Sequence, residues 1–500
     1  MSAKKVLIIG LDGVSWNVLN PVIEGGYMPF LQEFIKMGKG GILKSTEPPI
    51  TPTAWTSFQT GLPPEVHKIM GFRNFYMKDG KLQSKILSSS SVSAKRIWDI
   101  LSENNRRICL LNLPLTYPPF PVNGILVSGY PVPSADCTFT FPEDFKDELL
   151  KIIPDFQVMY TGIGAKQKGM KIEDIIGWWT NTVYQKANLA LYLLKREAWE
   201  VFMVHFQETD ILQHFLWHYI DMAHPNHNSE DFARVARFYS TLDSKVSELI
   251  TEGKKRDFSV MFISDHGFQS CKYKFRANSW LLQRGYLILN NDILKDMIAI
   301  AKKVLKPKYL NKINKVRVIK YFKGPFSVNQ INRFLMSEVN YTKSSVVIEA
   351  NGTDVAFAHF IKQDNLLVKE IINELLSIET DKGDKVVKEI NKYNDCSQTY
   401  KINLADNIVA SDILPDNKPF LRVPIPFEED QIGVHHQDGI VIFDDSLYEQ
   451  DLPKEIFEVP NLIMKLQKIP FEKILKQSED NLTDTDISGM ENQLKNLGYL

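Results

Sequence analysis

Six side chains combine metal-ligand chemistry with regular placement: Asp12 in "IIGLDG", Asp210 and His214 in "FQETDILQH", Asp265 and His266 in "FISDHGF", and His435, with His436 beside it, in "GVHHQDGIVIF". Mixed carboxylate and imidazole sets suit Zn²⁺ and, less selectively, Mn²⁺ or Fe²⁺. Asp210 and His214 have i, i+4 spacing, which puts both on one helix face. Each fragment alone is a common turn or helix face. Together they place several carboxylates at one locus, and buried carboxylates are costly unless paired or bound to cations. Two divalent cations against three aspartates leave a surplus of about one positive charge, and two metals about 4 Å apart clamp the attacking and leaving sides of an in-line phosphoryl transfer. The hydroxyl-rich stretch "PPITPTAWTSFQTGLPP" (48–64) offers the nucleophile, since coordination activates an otherwise unreactive alcohol. Other histidines read as packing: His205 points into the sheet, and His67, His218, His224 and His227 lie on helix faces or loops.

Position is what unites the ligand set. "KKVLIIGLDG", "WEVFMVHFQETD" and "FSVMFISDHGF" are apolar runs, rich in β-branched or aromatic residues, that end at Asp12, Asp210 and Asp265. Such runs read as buried parallel strands, and their ends form the carboxyl edge of an open α/β sheet, where ligands bind. "MPFLQEFIKMG", "VSAKRIWDILSENN" and "IEDIIGWWTNTVYQKANLALYLLKRE" are helical patterns, and "RRICLLNLPLTYPP" and "NGILVSGYPVP" add strands. The alternation predicts a doubly wound α/β core. At the C-terminus, Ser488 and Glu491 have capping-box spacing ahead of an apolar stripe at Met490, Leu494 and Leu497, which predicts a terminal helix docked on the core.

With 500 residues, the chain is too long for one simple core. The sequence reads as a core of residues 1–284 plus 431–475, an inserted cap or specificity region at 285–430 containing the strand-like "SVVIEANGTDVAFAHFI", and a helix at 476–500. A net charge of −1 gives no electrostatic reason to expect a nucleic-acid partner. Four dispersed cysteines without a CxxC pair argue against a disulfide framework. The absence of a signal-peptide pattern or a long apolar run leads to an expected cytoplasmic location. Residues 295–323 carry ten Lys or Arg against one acid, Asp296. That segment is expected to be an amphipathic lid helix with a solvated face, and the sharper expectation is peripheral contact with an anionic membrane.

In chain order, "GLDG", "PPITPTAWTSFQTGLPPEVH", "FQETDILQH", "SDHGF" and "GVHHQDGI" resemble the alkaline phosphatase superfamily, most closely its type I phosphodiesterase/nucleotide pyrophosphatase-like branch of phosphohydrolases and phosphomutases. The resemblance extends to "NSWLLQRGYLIL" and the terminal "LKNLGYL". It implies an α/β fold with a central, mostly parallel sheet flanked by helices, an inserted cap, and two divalent metals, Zn²⁺ first and Mn²⁺ second. One metal is implied on Asp210, His214 and His435, and the other on Asp12, Asp265, His266 and the oxygen of Thr51. Thr51 takes the nucleophile's place because it stands nine residues before Thr60 of the "TG" pair. His436 replaces an arginine of branch members and is expected to touch phosphate weakly. Ala54 stands where nucleotide pyrophosphatases carry an asparagine that donates to the phosphoryl oxygen, so their substrate preference is not carried over. The implied activity is hydrolysis of a small-molecule or lipid- or glycan-linked phosphoester, by a phosphodiesterase or phosphatase with a phosphothreonine intermediate. The alternatives are a phosphomutase on a sugar or glycan phosphate and a metal-retaining binding protein without catalysis.

Overall fold

The apolar run ending at Asp12 folds as β1 (Lys5–Leu11), flanked on both sides by strands of the same kind. The computed structural model describes residues 3–158, 171–224, 227–290, 339–350, 352–393, 398–411, 420–422, 433–476 and 482–496. The chain divides into two compact units. The first comprises Met1–Asn74, Lys85–Ser270 and Ile425–Leu500, and the second Phe75–Ser84 and Cys271–Pro424.

The first unit is built on an eight-stranded sheet. Besides β1 its strands are β2 (Lys39–Lys44), β3 (Ile108–Leu111), β4 (Gly124–Val127), β5 (Thr140–Phe141), β6 (Val201–Phe206), β7 (Phe258–Ile263) and β8 (Asp438–Phe443), in the order β2-β8-β7-β1-β6-β3-β4-β5. β1 pairs in parallel with both β6 and β7, and the parallel pairing continues through β3 and β4. β8 runs antiparallel to β7 and β2, and β5 antiparallel to β4. Because β1 leads to neighbours on both sides, its carboxyl end is a switch point of the sheet, where open α/β folds form crevices.

The strands are apolar on both faces because both are covered. Val6, Ile8, Leu110, Met203 and Met261 pack toward Trp55 and Phe58 of α1 (Thr51–Thr60), Trp98 and Leu101 of α2 (Ile97–Glu103) and a helix at Val459–Gln467. Leu7, Ile9, Val204 and Phe262 pack toward Trp179 and Leu193 of α3 (Ile172–Arg196) and Phe238 and Leu242 of a helix at Ser229–Lys254. Between β6 and that last helix lies α4 (Glu208–Ile220), which carries Asp210 and His214. The terminal helix α5 (Asp484–Asn496) buries Met490 and Leu494 in the same core. Its capping box is made by Thr483 and Asp486, whose side chains take each other's backbone N–H groups, and not by Ser488. Glu491 instead pairs with Arg73 at 2.5 Å.

The second unit has its own core. A four-stranded antiparallel sheet pairs Val346–Ala350 with Val355–Phe360, then Thr399–Leu404 and Val387–Lys392, and the helix Asn365–Leu376 packs Val368, Ile371 and Leu375 against the core. The basic segment 295–323 lies outside the described residues, as do the terminal residues 497–500. Among the described residues no helix is long and apolar enough to cross a membrane.

Candidate metal centre

Beyond the carboxyl ends of three adjacent strands the chain places an aspartate each time. Asp12 follows β1, Asp210 lies in the first turn of α4 after β6, and Asp265 follows β7, and all three are fully buried. Two of these ends are tied together by hydrogen bonds. Gly13 N–H donates to Asp265 Oδ1 at 3.2 Å and Val14 N–H to Ser264 Oγ at 2.8 Å. Gly13 makes this turn with φ of 69°, a left-handed conformation that disfavours other residues.

The histidines arrive from three directions. His214 lies one turn along α4 from Asp210, and His266 follows Asp265 directly. His435 sits on a short strand, Gly433–His436, paired antiparallel with Gly267–Ser270, where the sequence reading has it ahead of a strand. Each ring is anchored through Nδ1 to a backbone carbonyl: His214 to Gly433 at 3.0 Å, His266 to Gly267 at 3.1 Å, and His435 to Pro49 at 2.9 Å. A carbonyl can only accept, so each Nδ1 carries a proton and each ring turns Nε2 inward, where its lone pair is free to ligate once that nitrogen is unprotonated.

Those lone pairs converge. His435 Nε2 lies 2.9 Å from His214 Nε2 and 3.1 Å from Asp210 Oδ1, and His214 Nε2 is 3.5 Å from the same oxygen. His266 Nε2 stands 3.3 Å from Asp265 Oδ2, 3.5 Å from Asp12 Oδ1 and 3.9 Å from Asp210 Oδ1. Two groups therefore have ligand geometry, Asp210 with His266 and His435, and Asp12 with Asp265 and His266, so that His266 lies between them. His214 completes the first group through its contacts with Asp210 and His435.

The electrostatics point the same way. Burial, then the charge of Asp210, pushes the Asp12 carboxyl well above the usual carboxylate range, and burial with Asp12 does the same to Asp265. Burial would also raise Asp210, but His214, His435 and His266 hold it below its ordinary value. Burial and His435 press His266 well below the usual imidazole range. Asp265 Oδ2 is buried and receives no hydrogen bond. Acceptors facing acceptors out of water are stable only around positive charge, so this donor set fits divalent cations.

Thr51 opens α1, a helix in which all ten residues are buried. Its Oγ1 is 3.3 Å from both Asp12 Oδ1 and His266 Nε2. Further along, Thr56 and Thr60 spend their hydroxyls on carbonyls one turn back, and Ser57 contacts His67 Nε2 at 2.9 Å. Of these threonines, Thr51 is the one brought to the carboxylates. His436 alternates to the other side of its strand from His435, and its Nδ1 accepts from Asp438 N–H at 3.2 Å.

Sequence reasoning missed the layer behind Asp12. Asp12 Oδ2 is 2.9 Å from His205 Nε2 and accepts the indole N–H of Trp55 at 3.1 Å. Lys186 of α3 and Glu208 of α4 form a buried ion pair at 2.8 Å, and Lys186 Nζ also lies 3.4 Å from the His205 carbonyl. One signal was present: His205 is the sole ionisable residue inside an apolar central strand, and Gly10, its partner in register, removes the side chain that would block it.

Residues 6–401 match the family described as type I phosphodiesterase / nucleotide pyrophosphatase. The chain belongs to that family. It is thereby placed in the alkaline phosphatase superfamily among phosphoester hydrolases. No curated protein sequence matches it. Among solved structures it is similar to phosphonoacetate hydrolase from Sinorhizobium meliloti in complex with phosphonoformate, at 14% identity over 93% of this chain and 96% of that one, with a TM-score of 0.54. It is also similar to murine ectonucleotide pyrophosphatase / phosphodiesterase 5, at 13% identity over 95% and 98% of the two chains, with a TM-score of 0.51. An inactive variant of that murine protein with a threonine changed to alanine, in complex with AMP, aligns at 12% identity over 97% and 99%, with a TM-score of 0.50. At such identities the likeness is one of fold.

Proposed function

We propose that this family member is a two-metal phosphoryl-transfer enzyme, hydrolysing a phosphate ester through a phosphothreonine formed on Thr51. The observation that carries the reading is the position of Thr51 Oγ1, equidistant at 3.3 Å from Asp12 Oδ1 and His266 Nε2 in the second ligand group. Bound divalent cations, Zn²⁺ first by the imidazole content and Mn²⁺ second, supply neutralisation of the developing oxygen charges. Asp210, His214 and His435 would hold one ion, and Asp12, Asp265, His266 and Thr51 the other.

Thr51 Oγ1 attacks phosphorus in line as its proton passes to Asp12 Oδ1, and the bond to the leaving oxygen breaks and that oxygen leaves protonated. Water then cleaves the phosphothreonine, restoring the Thr51 hydroxyl and releasing the phosphate product. Thr51 opens α1, so the positive dipole end of that helix lies at the nucleophile and favours the negative charge of the phosphoryl group. The hydroxyl donates to Asp12 Oδ1, with His266 Nε2 at the same distance beside it, and this orients it before attack. The inactive threonine variant named for the murine neighbour is consistent with a threonine of this kind in the shared fold.

The test compares p-nitrophenyl phosphate with bis-p-nitrophenyl phosphate as substrates for the Zn²⁺-loaded protein and for Thr51→Ala. Activity on one ester should fall on the order of 10³-fold or more in the variant. Acid-quenched wild type should carry phosphate on the peptide containing Thr51. Full activity in Thr51→Ala would sink the assignment, and the preferred ester identifies the substrate class.

A further inference from the structure

We infer that His205 is a positioning residue, which sets the rotation of the Asp12 carboxylate so that only Oδ1 is presented to the ligand group. The inference rests on the proposed two-metal reading. Oδ2 is fully engaged, with the Trp55 indole N–H at 3.1 Å and His205 Nε2 at 2.9 Å. On the far side of the ring, Nδ1 meets the Asn112 carbonyl at 3.1 Å. Nδ1–H donates to that carbonyl, and a single proton lies between Nε2 and Oδ2, because two bare lone pairs would repel at that distance. The lone pairs left over belong to Oδ1, which faces Thr51 and His266.

The ring is held from every side. It meets Trp55 edge-on with centroids 4.9 Å apart, and both side chains are fully buried. Beneath it lies Gly10, where a Cβ would come within 3.1 Å of His205 Cδ2 and 3.2 Å of the Trp55 ring. The absent side chain at position 10 thus leaves room for both groups on Oδ2. A carboxylate locked this way acts as a one-oxygen ligand. Loss of an outer partner of this kind weakens metal binding about 10–100-fold.

Two polar substitutions separate positioning from packing. His205→Gln sets an amide N–H where Nε2 stood and keeps the contact to Asp12, whereas His205→Asn reaches only the Asn112 end. Calorimetric titration of the metal-stripped, full-length protein with Zn²⁺ should read two ions in wild type and near wild-type affinities in His205→Gln. In His205→Asn one ion should weaken about 10–100-fold while the other is unchanged. Should His205→Asn fail to fold, Gly10→Ala displaces the same ring and should weaken the same ion. Equal affinities in the Asn and Gln variants, or an unchanged Gly10→Ala, would overturn the positioning role alone. A wild type that takes up no Zn²⁺ would remove the two-metal reading and this inference with it.

Discussion

Histidines in this chain do three kinds of work, and their neighbours decide which. His214, His266 and His435 give Nδ1 to carbonyls and aim Nε2 inward. His67 is occupied at both nitrogens, by Ser57 and by the Ile69 N–H. Burial pushes His67 down to about 3 from 6.5, so the folded protein keeps it neutral while the unfolded chain protonates it. Its contribution to stability is therefore present above about pH 6.5 and is lost as pH falls toward 3. Urea unfolding should find His67→Asn less stable than wild type near neutral pH, with the gap narrowing on acidification, and parallel pH curves would disprove this. Of these roles, the ligand trio was legible because each histidine stands beside an aspartate or a strand end. His205 stands alone as an ionisable residue in an apolar strand, but its partners Asp12 and Asn112 are distant in the chain. His67, whose partners Ser57 and Ile69 are near in sequence, has no aspartate or strand end beside it.

Among the elements, α3 and α4 are joined by the Lys186–Glu208 pair, with side chains 2% and 0% exposed. Removing one charge strands the other, which costs about 3–5 kcal/mol. Lys186→Met should destabilise by that amount in chemical denaturation, and Lys186→Met with Glu208→Gln should recover part of it. Equal stability of Lys186→Met and wild type would show the pair to be solvated. The strands and long helices could be read from the sequence because burial on both faces leaves continuous apolar runs. Helix ends could not. Thr483 with Asp486 and Ser488 with Glu491 share the same spacing, and burial of Met490 and Leu494 needs a helix already begun at Asp484.

At the scale of the molecule, the first unit packs a core on each face of its sheet, the second has a core of its own, and both ligand groups belong to the first. A ligand stabilises only what it binds, by about 2.7 kcal/mol at a hundred times its dissociation constant. Differential scanning calorimetry with increasing Zn²⁺ should raise the transition of the first unit and leave that of the second in place. Both moving together would mean that the units melt as one. The segment Phe75–Ser84 belongs to the second unit although it precedes the bulk of it by nearly two hundred residues. No local pattern announces that, because Leu82 packs against a core whose members, Val346 and Ile371 among them, are distant in the chain.

The first unit's sheet is interrupted in the chain between β7 and β8, and His435 belongs to the later part. A ribosome adding about 5–20 residues per second makes Asp12, Thr51, Asp210, His214, Asp265 and His266 first. The second unit follows, and on the order of ten seconds or more pass before His435 and β8 emerge. During that interval the nascent sheet has an open edge at β7, the very strand that delivers Asp265. The chain must therefore keep an unfinished, acid-lined cleft soluble during its own synthesis, which makes the growing polypeptide, more than the finished one, the form exposed to aggregation and to chaperones.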